Sequence, residues 1–146
     1  MFVVDLDTLS VEPRGGGLSS SFPIHSGTGA ASTATVMIEI EPGGELARHT
    51  DSAEELLIVL EGVAEASIGD ETDRLERHQV ALVPAMAPHG LRNVGEETLR
   101  VFGTFSASTV VATFEQPMGP DRLQVFVVGG PTLIAVPLEE PVPAPA

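Results

Sequence analysis

Four ionisable side chains have types and spacing that could hold a metal ion. Three of them, His49, Asp51 and Glu55, lie in the stretch RHTDSAEELLIVLEG, directly before a continuous apolar run. Side chains alternate between the two faces of a strand, so these odd-numbered residues share one face if the chain stays extended. Burying their carboxylates unpaired would cost several kcal/mol each or raise their pKa values, and a divalent cation would remove that cost.

The fourth candidate ligand is His89, in the segment VPAMAPHGLRN. It follows a loop bounded by two prolines and leads into a new predicted strand, so its imidazole could meet the first three side chains. Three or four nitrogen and oxygen ligands from two segments are typical of an open transition-metal site. A simpler interpretation is that His49, Asp51 and Glu55 are ordinary charges on a solvated strand edge.

The residues around these candidates predict an all-β fold. Short segments rich in Val, Ile, Thr and Phe alternate with glycine- and proline-rich turns, and they lack a long helical period. This pattern is typical of a β-sandwich or a β-barrel. The predicted strands span residues 34–41, 55–62, 64–69, 79–84, 98–105, 108–115 and 123–128.

We expect a single domain over residues 1–146. Its candidate motifs lie in residues 43–93. Residues 12–33 are poor in large apolar groups, so we expect an irregular segment with at most one short strand, and the proline-rich tail at 137–146 should be frayed or extended.

The composition excludes several classes of function. The 146 residues carry a net charge of −14, no cysteine and seven cationic residues, all of them arginine. So few cations argue against binding of nucleic acid or of an anionic membrane surface. Without cysteine and lysine, disulfides, thiolate metal sites and Schiff-base chemistry are unavailable.

The first ten residues, MFVVDLDTLS, lack the basic and apolar regions of a signal peptide. Apolar runs also stay well short of the roughly 20 residues that cross a bilayer. We therefore expect a cytoplasmic protein whose partner is a small-molecule substrate.

Two motifs resemble those of the cupin superfamily, in particular its small single-domain members with one conserved barrel. The family's first motif, G-x5-H-x-H-x3–4-E-x6-G, is matched by Gly43, His49, Asp51, Glu55 and Gly62. Asp51 stands where the family usually has its second histidine.

The family's second motif, G-x5-P-x-G-x2-H-x3-N, is matched by His78, Pro84, Met86, His89 and Asn93. The gap between the two motifs is typical of microbial cupins. His78 and Met86 replace family glycines that often adopt positive φ, a conformation that Met tolerates poorly. The loop that holds His89 could therefore follow a different path.

The resemblance implies a double-stranded β-helix of six to eight strands that often forms dimers. It also implies one metal ion, held by His49, Glu55 and His89 together with the residue at position 51. Many cupins hold iron or manganese, and nickel, copper and zinc also occur in the family.

The aspartate at position 51 leaves several arrangements open. If Asp51 is a ligand, two histidines and two carboxylates make a hard site that favours iron(II) or manganese(II) over copper. If Asp51 falls short and orients a bound water, His49, Glu55 and His89 make a two-histidine, one-carboxylate triad. A triad of His49, Asp51 and His89 would be similar to that of iron(II)/2-oxoglutarate oxygenases, but the sequence identifies no basic residue for the co-substrate. Alternatively, the aspartate has abolished metal binding and left a plain pocket.

Three activities are compatible with such a site. A metal-dependent dioxygenase of the quercetinase-like kind would act on a small enol, catechol-like or dione substrate, with Glu55 taking a proton. A non-redox isomerase, lyase or hydrolase would use the metal as a Lewis acid. A non-catalytic cupin would bind a small ligand without turnover. We favour the first because of the ligand types rather than any substrate-specific residue.

The remaining candidates have simpler expected roles. We expect His25 at the surface or at a strand end and His78 in a turn, and neither to bind metal. Asn93 should hydrogen-bond backbone groups near the site. Arg92 and Arg100 could bind an anion at the pocket mouth, but we expect salt bridges with the many acidic residues instead.

We expect a homodimer, since barrels of this kind leave sheet edges that need covering. The two extended ends, residues 1–11 and 123–138, could pair with a partner's sheet. The alternative is that both ends fold back onto their own barrel.

Overall fold

The computed structural model describes residues 1–130 and 134–136, and this part of the chain is almost entirely β-structure. One short 3₁₀ helix, Ser26–Thr28, lies between the second and third strands. In chain order the strands are β1 (Glu12–Gly15), β2 (Leu18–Ser21), β3 (Ala34–Ile40), β4 (Glu45–Asp51), β5 (Glu55–Glu61), β6 (Val63–Ile68), β7 (Glu71–Glu76), β8 (Val80–Val83), β9 (His89–Asn93), β10 (Leu99–Phe105), β11 (Val110–Met118), β12 (Leu123–Val128) and β13 (Ile134–Val136).

The strands form two antiparallel sheets. One sheet has the order β1-β2-β3-β10-β5-β8, and the other has the order β13-β12-β11-β4-β9-β6-β7. Successive strands such as β3, β4 and β5 fall alternately in the two sheets, so the chain winds around a common interior as a double-stranded β-helix. The all-β fold predicted from the sequence is confirmed. In the part of the chain described, no helix is long and apolar enough to span a membrane.

Alternating side chains of the central strands fill the space between the sheets. Val36 and Ile38 of β3, Leu57 and Val59 of β5, and Val101 of β10 are all buried in one apolar cluster. Their period of two is what a strand with one buried face requires. This core makes a rigid base for the side chains that approach the interior from the strand ends.

Apolar periodicity located seven strands correctly and missed the polar ones. The predicted segments correspond to β3, β5, β6, β8, β10, β11 and β12, with ends that differ by at most three residues. Residues 12–33, expected to be irregular, instead contain β1 and β2, which extend the first sheet next to β3. β7 was missed because it is a charged edge strand whose side chains are mostly exposed. The predicted tail at 137–146 lies outside the described residues.

The prediction that one extended strand carries His49, Asp51 and Glu55 is wrong. β4 ends at Asp51 in one sheet, and β5 begins at Glu55 in the other. The chain turns at Ser52, whose N–H donates to Val111 O (2.9 Å) and whose Oγ accepts from Val111 N–H (2.8 Å). Because the inner faces of both strands line the same interior, the three side chains still meet there.

The described parts of both chain ends pair or bond within their own chain, and pairing with a partner's sheet stays a prediction. β12 pairs with β11 of the same chain, and β13 pairs with β12. At the N-terminus, the carbonyl of Leu6 accepts a hydrogen bond from Arg100 Nη2 (2.9 Å). Both described ends therefore contact their own barrel.

Candidate metal centre

Two neighbouring strands bring three of the candidate ligands together. His49 and Asp51 lie on β4, and His89 begins β9 directly opposite His49 in the strand pairing. His89 Nε2 lies 3.0 Å from Asp51 Oδ2, and His49 Nε2 lies 3.4 Å from the same oxygen. One ligand atom from each of the three residues lies within 4.8 Å of the other two, and all three side chains are buried.

A β-bulge in β4 aims His49 at this point. Leu46 pairs with Leu91 and His49 pairs with His89, so three steps along β4 match two steps along β9. Leu46 and His49 consequently both face the interior, although their numbers have opposite parity. Gly90 lies between the paired residues of β9, where a Cβ atom would be 2.9 Å from Leu46 O. The close approach of the two strands at the bulge therefore depends on this glycine.

The loop before His89 adopts the backbone that glycines would provide. His78 and Met86 have φ values of 70° and 65°. The N–H of Met86 donates to the carbonyl of Asp51 (2.8 Å), which ties the loop to the end of β4. Replacement of the two family glycines therefore does not divert the loop from the site.

Both imidazoles are oriented by contacts on the side away from the centre. The Nδ1 atoms of His49 and His89 lie 2.8 Å from Ala47 O and 2.9 Å from Ala87 O. Since a carbonyl oxygen can only accept, each Nδ1 carries a proton, and each Nε2 faces the centre, where it can offer a lone pair to a metal ion. Phe114 stacks on the His49 ring with centroids 4.6 Å apart and planes at 19°. This is the orientation that metal-binding histidines need.

The centre leaves buried polar atoms without hydrogen-bond partners. Among the described residues, Asp51 Oδ2 and His89 Nε2 are buried without a hydrogen-bond partner, although they lie 3.0 Å apart. Buried polar atoms of native proteins are almost always satisfied, so an unsatisfied pair needs an explanation. A divalent cation between these lone pairs would satisfy both atoms. The residues present therefore fit a metal ion.

The charges at the centre shift one another's protonation. Burial raises the pKa of the Asp51 carboxyl, but His49 and His89 outweigh it and lower that pKa from 3.8 to about 2. Burial raises the pKa of Glu55 to about 7; the charge of Asp51 adds to this and His89 opposes it. Burial lowers the pKa of His89, but the contacts with Asp51 and Glu55 outweigh burial and raise that pKa to about 10. In the metal-free protein a proton on His89 thus supplies the positive charge.

Glu55 lies beside the three-residue group. Its Oε1 is 3.5 Å from His89 Nε2, yet its oxygens are not among the ligand atoms that lie within 4.8 Å of one another. Its carboxylate occupies space left by Gly103, where a Cβ atom would be 2.6 Å from Oε2. Of the arrangements left open by the sequence, the triad of His49, Asp51 and His89 has the most compact geometry. Glu55 as a further ligand stays a prediction.

A small cavity adjoins the candidate ligands. The cavity has a volume of about 60 Å³. His49, Asp51 and Glu55 contribute polar atoms to its wall. The rest of the wall is mostly apolar and includes Leu18, Phe22, Val36, Ile38, Phe105, Val110, Phe114 and Phe126. Such a cavity suits the apolar body of a small molecule that presents polar atoms to the centre.

Several residues that line this cavity were not predicted from the sequence. Arg14 and Phe22 come from the segment expected to be irregular, and Phe114 and Phe126 belong to apolar strands without a chemical signature. Phe126 contacts Phe114 edge to face at 5.5 Å and so supports the ring that stacks on a candidate ligand. The one available signal was Arg14, the sole Asp, Glu, Lys or Arg between residues 13 and 38.

Two other polar candidates have structural roles. His25 is buried, which corrects the expectation of a surface position, and its Nδ1 accepts from Gly27 N–H (3.0 Å) to cap the 3₁₀ helix. Asn93 Nδ2 donates to Ile40 O (2.8 Å) and Glu97 O (2.7 Å). The backbone bonding of Asn93 is as expected, but it lies at the opposite end of β9 from His89.

The arginines considered as anion binders form salt bridges instead, as expected. Arg92 Nη2 lies 3.9 Å from Glu65 Oε1 on an exposed surface. Arg100 lies 3.5 Å from both Glu39 and Glu61. Neither arginine lines the cavity beside the metal centre.

Part of the chain matches a known family of domains. Residues 36–105 match the family model described as Cupin domain. The cupin domain of Schizosaccharomyces pombe Cnp3 has a similar structure (TM-score 0.63, 19% identity, covering 70% of this chain and 72% of that chain). Residues 36–105 therefore match the cupin domain, which confirms the resemblance seen in the motifs.

Two enzymes with similar structures broaden the comparison. The polyketide cyclase RemF from Streptomyces resistomycificus has a TM-score of 0.63 and 22% identity over 72% of this chain and 78% of that chain. Oxalate decarboxylase of Lactobacillus farciminis, in a formate complex, has a TM-score of 0.64 and 22% identity over 70% of this chain but 32% of that chain. Curated proteins give no significant match. At these identities the similarity establishes the fold alone.

Proposed function

We propose that this chain is a metal-binding cupin in which His49, Asp51 and His89 hold a divalent ion. The observation that carries the proposal is the convergence of two Nε2 atoms and one buried carboxylate oxygen on a single point. Two of these atoms, His89 Nε2 and Asp51 Oδ2, have no hydrogen-bond partner among the described residues. A divalent ion would balance the buried negative charge and accept all three lone pairs.

Iron(II) or manganese(II) is the ion we expect. Two imidazoles and one carboxylate are the ligand set of non-haem iron sites that keep positions open for substrate and O₂. The carboxylate of Glu55, if it also binds, would make the set harder still. Zinc, nickel and copper are alternatives because imidazole suits them as well.

The activity we propose is dioxygenation of a small enol, catechol-like or dione substrate. A redox-active ion held by His49, Asp51 and His89 would supply the oxygen chemistry. The aromatic wall around Phe105 and Phe114 excludes water from the apolar body of the substrate. Glu55 lines the same cavity, and its carboxylate is placed to take the proton of a substrate hydroxyl group.

A non-redox lyase or isomerase is the second candidate. Proton transfer by Glu55 needs no oxygen, and the cyclase RemF has a similar barrel. Such an enzyme would use the same centre to polarise a carbonyl group, so the two candidates differ in whether they consume O₂.

Oxygen uptake separates the candidates. Protein loaded with iron(II) would be offered a panel of small enols, catechols and 1,3-diones in an oxygen electrode. We expect O₂ consumption that is lost in Asp51→Ala and retained in Asp70→Ala, which removes an exposed aspartate. Turnover of a panel member without O₂ and with zinc would instead establish the lyase or isomerase. Binding without turnover would establish a non-catalytic ligand-binding cupin.

A further inference from the structure

The cavity beside the metal centre contains one cationic side chain that the proposed function does not use. All seven arginines lie within the described residues, and Arg14 is the one that lines this cavity. It belongs to β1, whereas the candidate metal ligands on the same wall come from β4 and β5. A molecule in the cavity would therefore lie close to acidic and imidazole side chains and also to an arginine side chain.

The guanidinium group of Arg14 is held in place by its neighbours. Its Nε donates to Ser20 Oγ (2.9 Å), and its Nη2 donates to Ser20 O (3.4 Å). Its central carbon lies 6.0 Å from the ring centroid of Phe22, at the limit of a cation–π contact. The side chain is 18% exposed. A cation fixed in this way binds an anion without first losing side-chain entropy.

Nη1, the third nitrogen of the Arg14 guanidinium group, makes only a weak ion pair. Arg14 Nη1 lies 3.5 Å from Glu12 Oε2, and the Glu12 side chain is 78% exposed. Exposed ion pairs contribute little stability, so an incoming anion can displace this partner. Since a guanidinium has five N–H donors and Ser20 takes two of them, donors remain for a carboxylate.

We infer that Arg14 anchors a carboxylate group of the substrate, so that the substrate is a small organic acid with an apolar or aromatic body. This inference rests on the proposed function, because the same molecule would reach the metal centre. A net charge of −14 repels anions from the protein as a whole, so recognition of an acid requires a local cation such as this one. A phosphate group is disfavoured because the cavity wall offers its second charge no other arginine.

The test compares an acid with its uncharged amide. Binding of 4-fluorobenzoate and 4-fluorobenzamide to the full chain would be followed by ¹⁹F NMR, both with zinc bound and after removal of metal by a chelator. The two probes share their aromatic body and differ in the anionic group. We expect the acid to bind about tenfold more tightly in the metal-free protein, as a charge-assisted bidentate contact allows.

Variants assign this preference to Arg14. In Arg14→Gln the ratio of acid affinity to amide affinity should fall to about one. In Arg14→Lys, which keeps the charge but loses the bidentate donor geometry of the guanidinium group, the ratio should be intermediate. Arg74→Gln is the matched control, because it removes an equal charge from an exposed surface pair and should leave the ratio unchanged. Thermal unfolding of each variant shows whether it is folded, and Arg14→Lys replaces Arg14→Gln if the latter is not.

An equal affinity for acid and amide in the parent, or a preference that is undiminished in both Arg14→Gln and Arg14→Lys, would overturn the inference. The metal-free measurement does not depend on the metal centre. Failure of the inference is therefore distinguishable from failure of the proposed function, which would appear as an absence of bound metal in the same preparations.

Discussion

In the proposed metal site, we expect residue 51 to decide which ions bind. Asp51 brings a negative charge to a position where the family usually has a neutral imidazole, and its Oδ2 is the atom that both imidazoles approach. A divalent ion with two histidines and this carboxylate has a net charge of about +1, compared with +2 for three neutral histidines. The lower charge acidifies a bound water less, and the oxygen ligand favours harder ions.

Substitution of Asp51 should change both the strength and the selectivity of metal binding. In Asp51→Ala we expect iron(II) and manganese(II) affinity to fall by at least about 100-fold, since a ligand is lost. In Asp51→His affinity should return, with a preference shifted towards zinc and copper. Competition titrations against a chelating dye measure both effects. Unchanged affinity in Asp51→Ala would show that the aspartate is not a ligand.

Metal binding should release a proton from the centre. The pKa of His89 is raised to about 10 in the metal-free protein by Asp51 and Glu55, although burial lowers it. At pH 7 the His89 ring therefore carries a proton on Nε2 that a metal ion must displace, so affinity should rise as pH increases towards 10. Calorimetry in two buffers with different ionisation enthalpies would count the released protons. Identical heats in the two buffers would contradict this expectation.

At the scale of elements, the bulge in β4 positions His49 at the candidate metal centre. It turns His49 towards the interior in register with His89, and it relies on the absence of a side chain at Gly90. Because β-bulges re-aim a strand locally, a small displacement here moves a candidate ligand without unfolding the sheet.

Gly90→Ala should therefore weaken metal binding as well as stability. The added Cβ atom would lie 2.9 Å from Leu46 O, so β4 must shift. We expect a loss of about 1–3 kcal/mol in the free energy of unfolding, as for other overpacked sites, together with weaker metal binding. Gly95→Ala is the control, because its Cβ would meet nothing closer than 3.6 Å. Denaturant titration and metal titration of both variants measure the two effects. Equal stability and equal metal affinity in Gly90→Ala and Gly95→Ala would contradict the role given to the bulge.

The sequence predicted which face the candidate ligands share better than the path of the chain that joins them. The odd numbering of His49, Asp51 and Glu55 correctly placed all three towards the interior, but β4 and β5 lie in different sheets. The prediction of a shared face still held, because the inner faces of both strands line the same cavity. The bulge and the contribution of Arg14 were not predictable, since both depend on pairing between segments far apart in the sequence. Apolar periodicity likewise cannot detect a charged edge strand such as β7.

At the scale of the whole molecule, an exposed apolar patch marks one edge of the first sheet. Leu56, Val80 and Leu82, which we call the β8 patch, are 40%, 55% and 55% exposed. Leu56 pairs directly with Leu82, and β8 is the last strand of its sheet in the described residues. Exposed apolar edges favour association, and natural proteins usually cover them.

We expect the protein to be a homodimer that buries the β8 patch. Light scattering coupled to size exclusion should give twice the monomer mass of 15.2 kDa for the parent. Leu82→Glu should give the monomer mass, because a charge would be buried at the contact. Val111→Glu, which alters an exposed apolar residue on the other sheet, should remain dimeric. A monomeric parent would refute the expectation.

Metal content is the most direct test of the central claim that two distant histidines and an aspartate share one ion. Protein purified without added metal would be analysed by mass spectrometry of the elements, beside His49→Ala, His89→Ala and the exposed-histidine control His78→Ala. We predict about one transition-metal ion per chain in the parent and in His78→Ala, and a loss of the ion in the other two variants. A parent that binds no divalent ion even when one is supplied, or variants that keep it, would contradict the account.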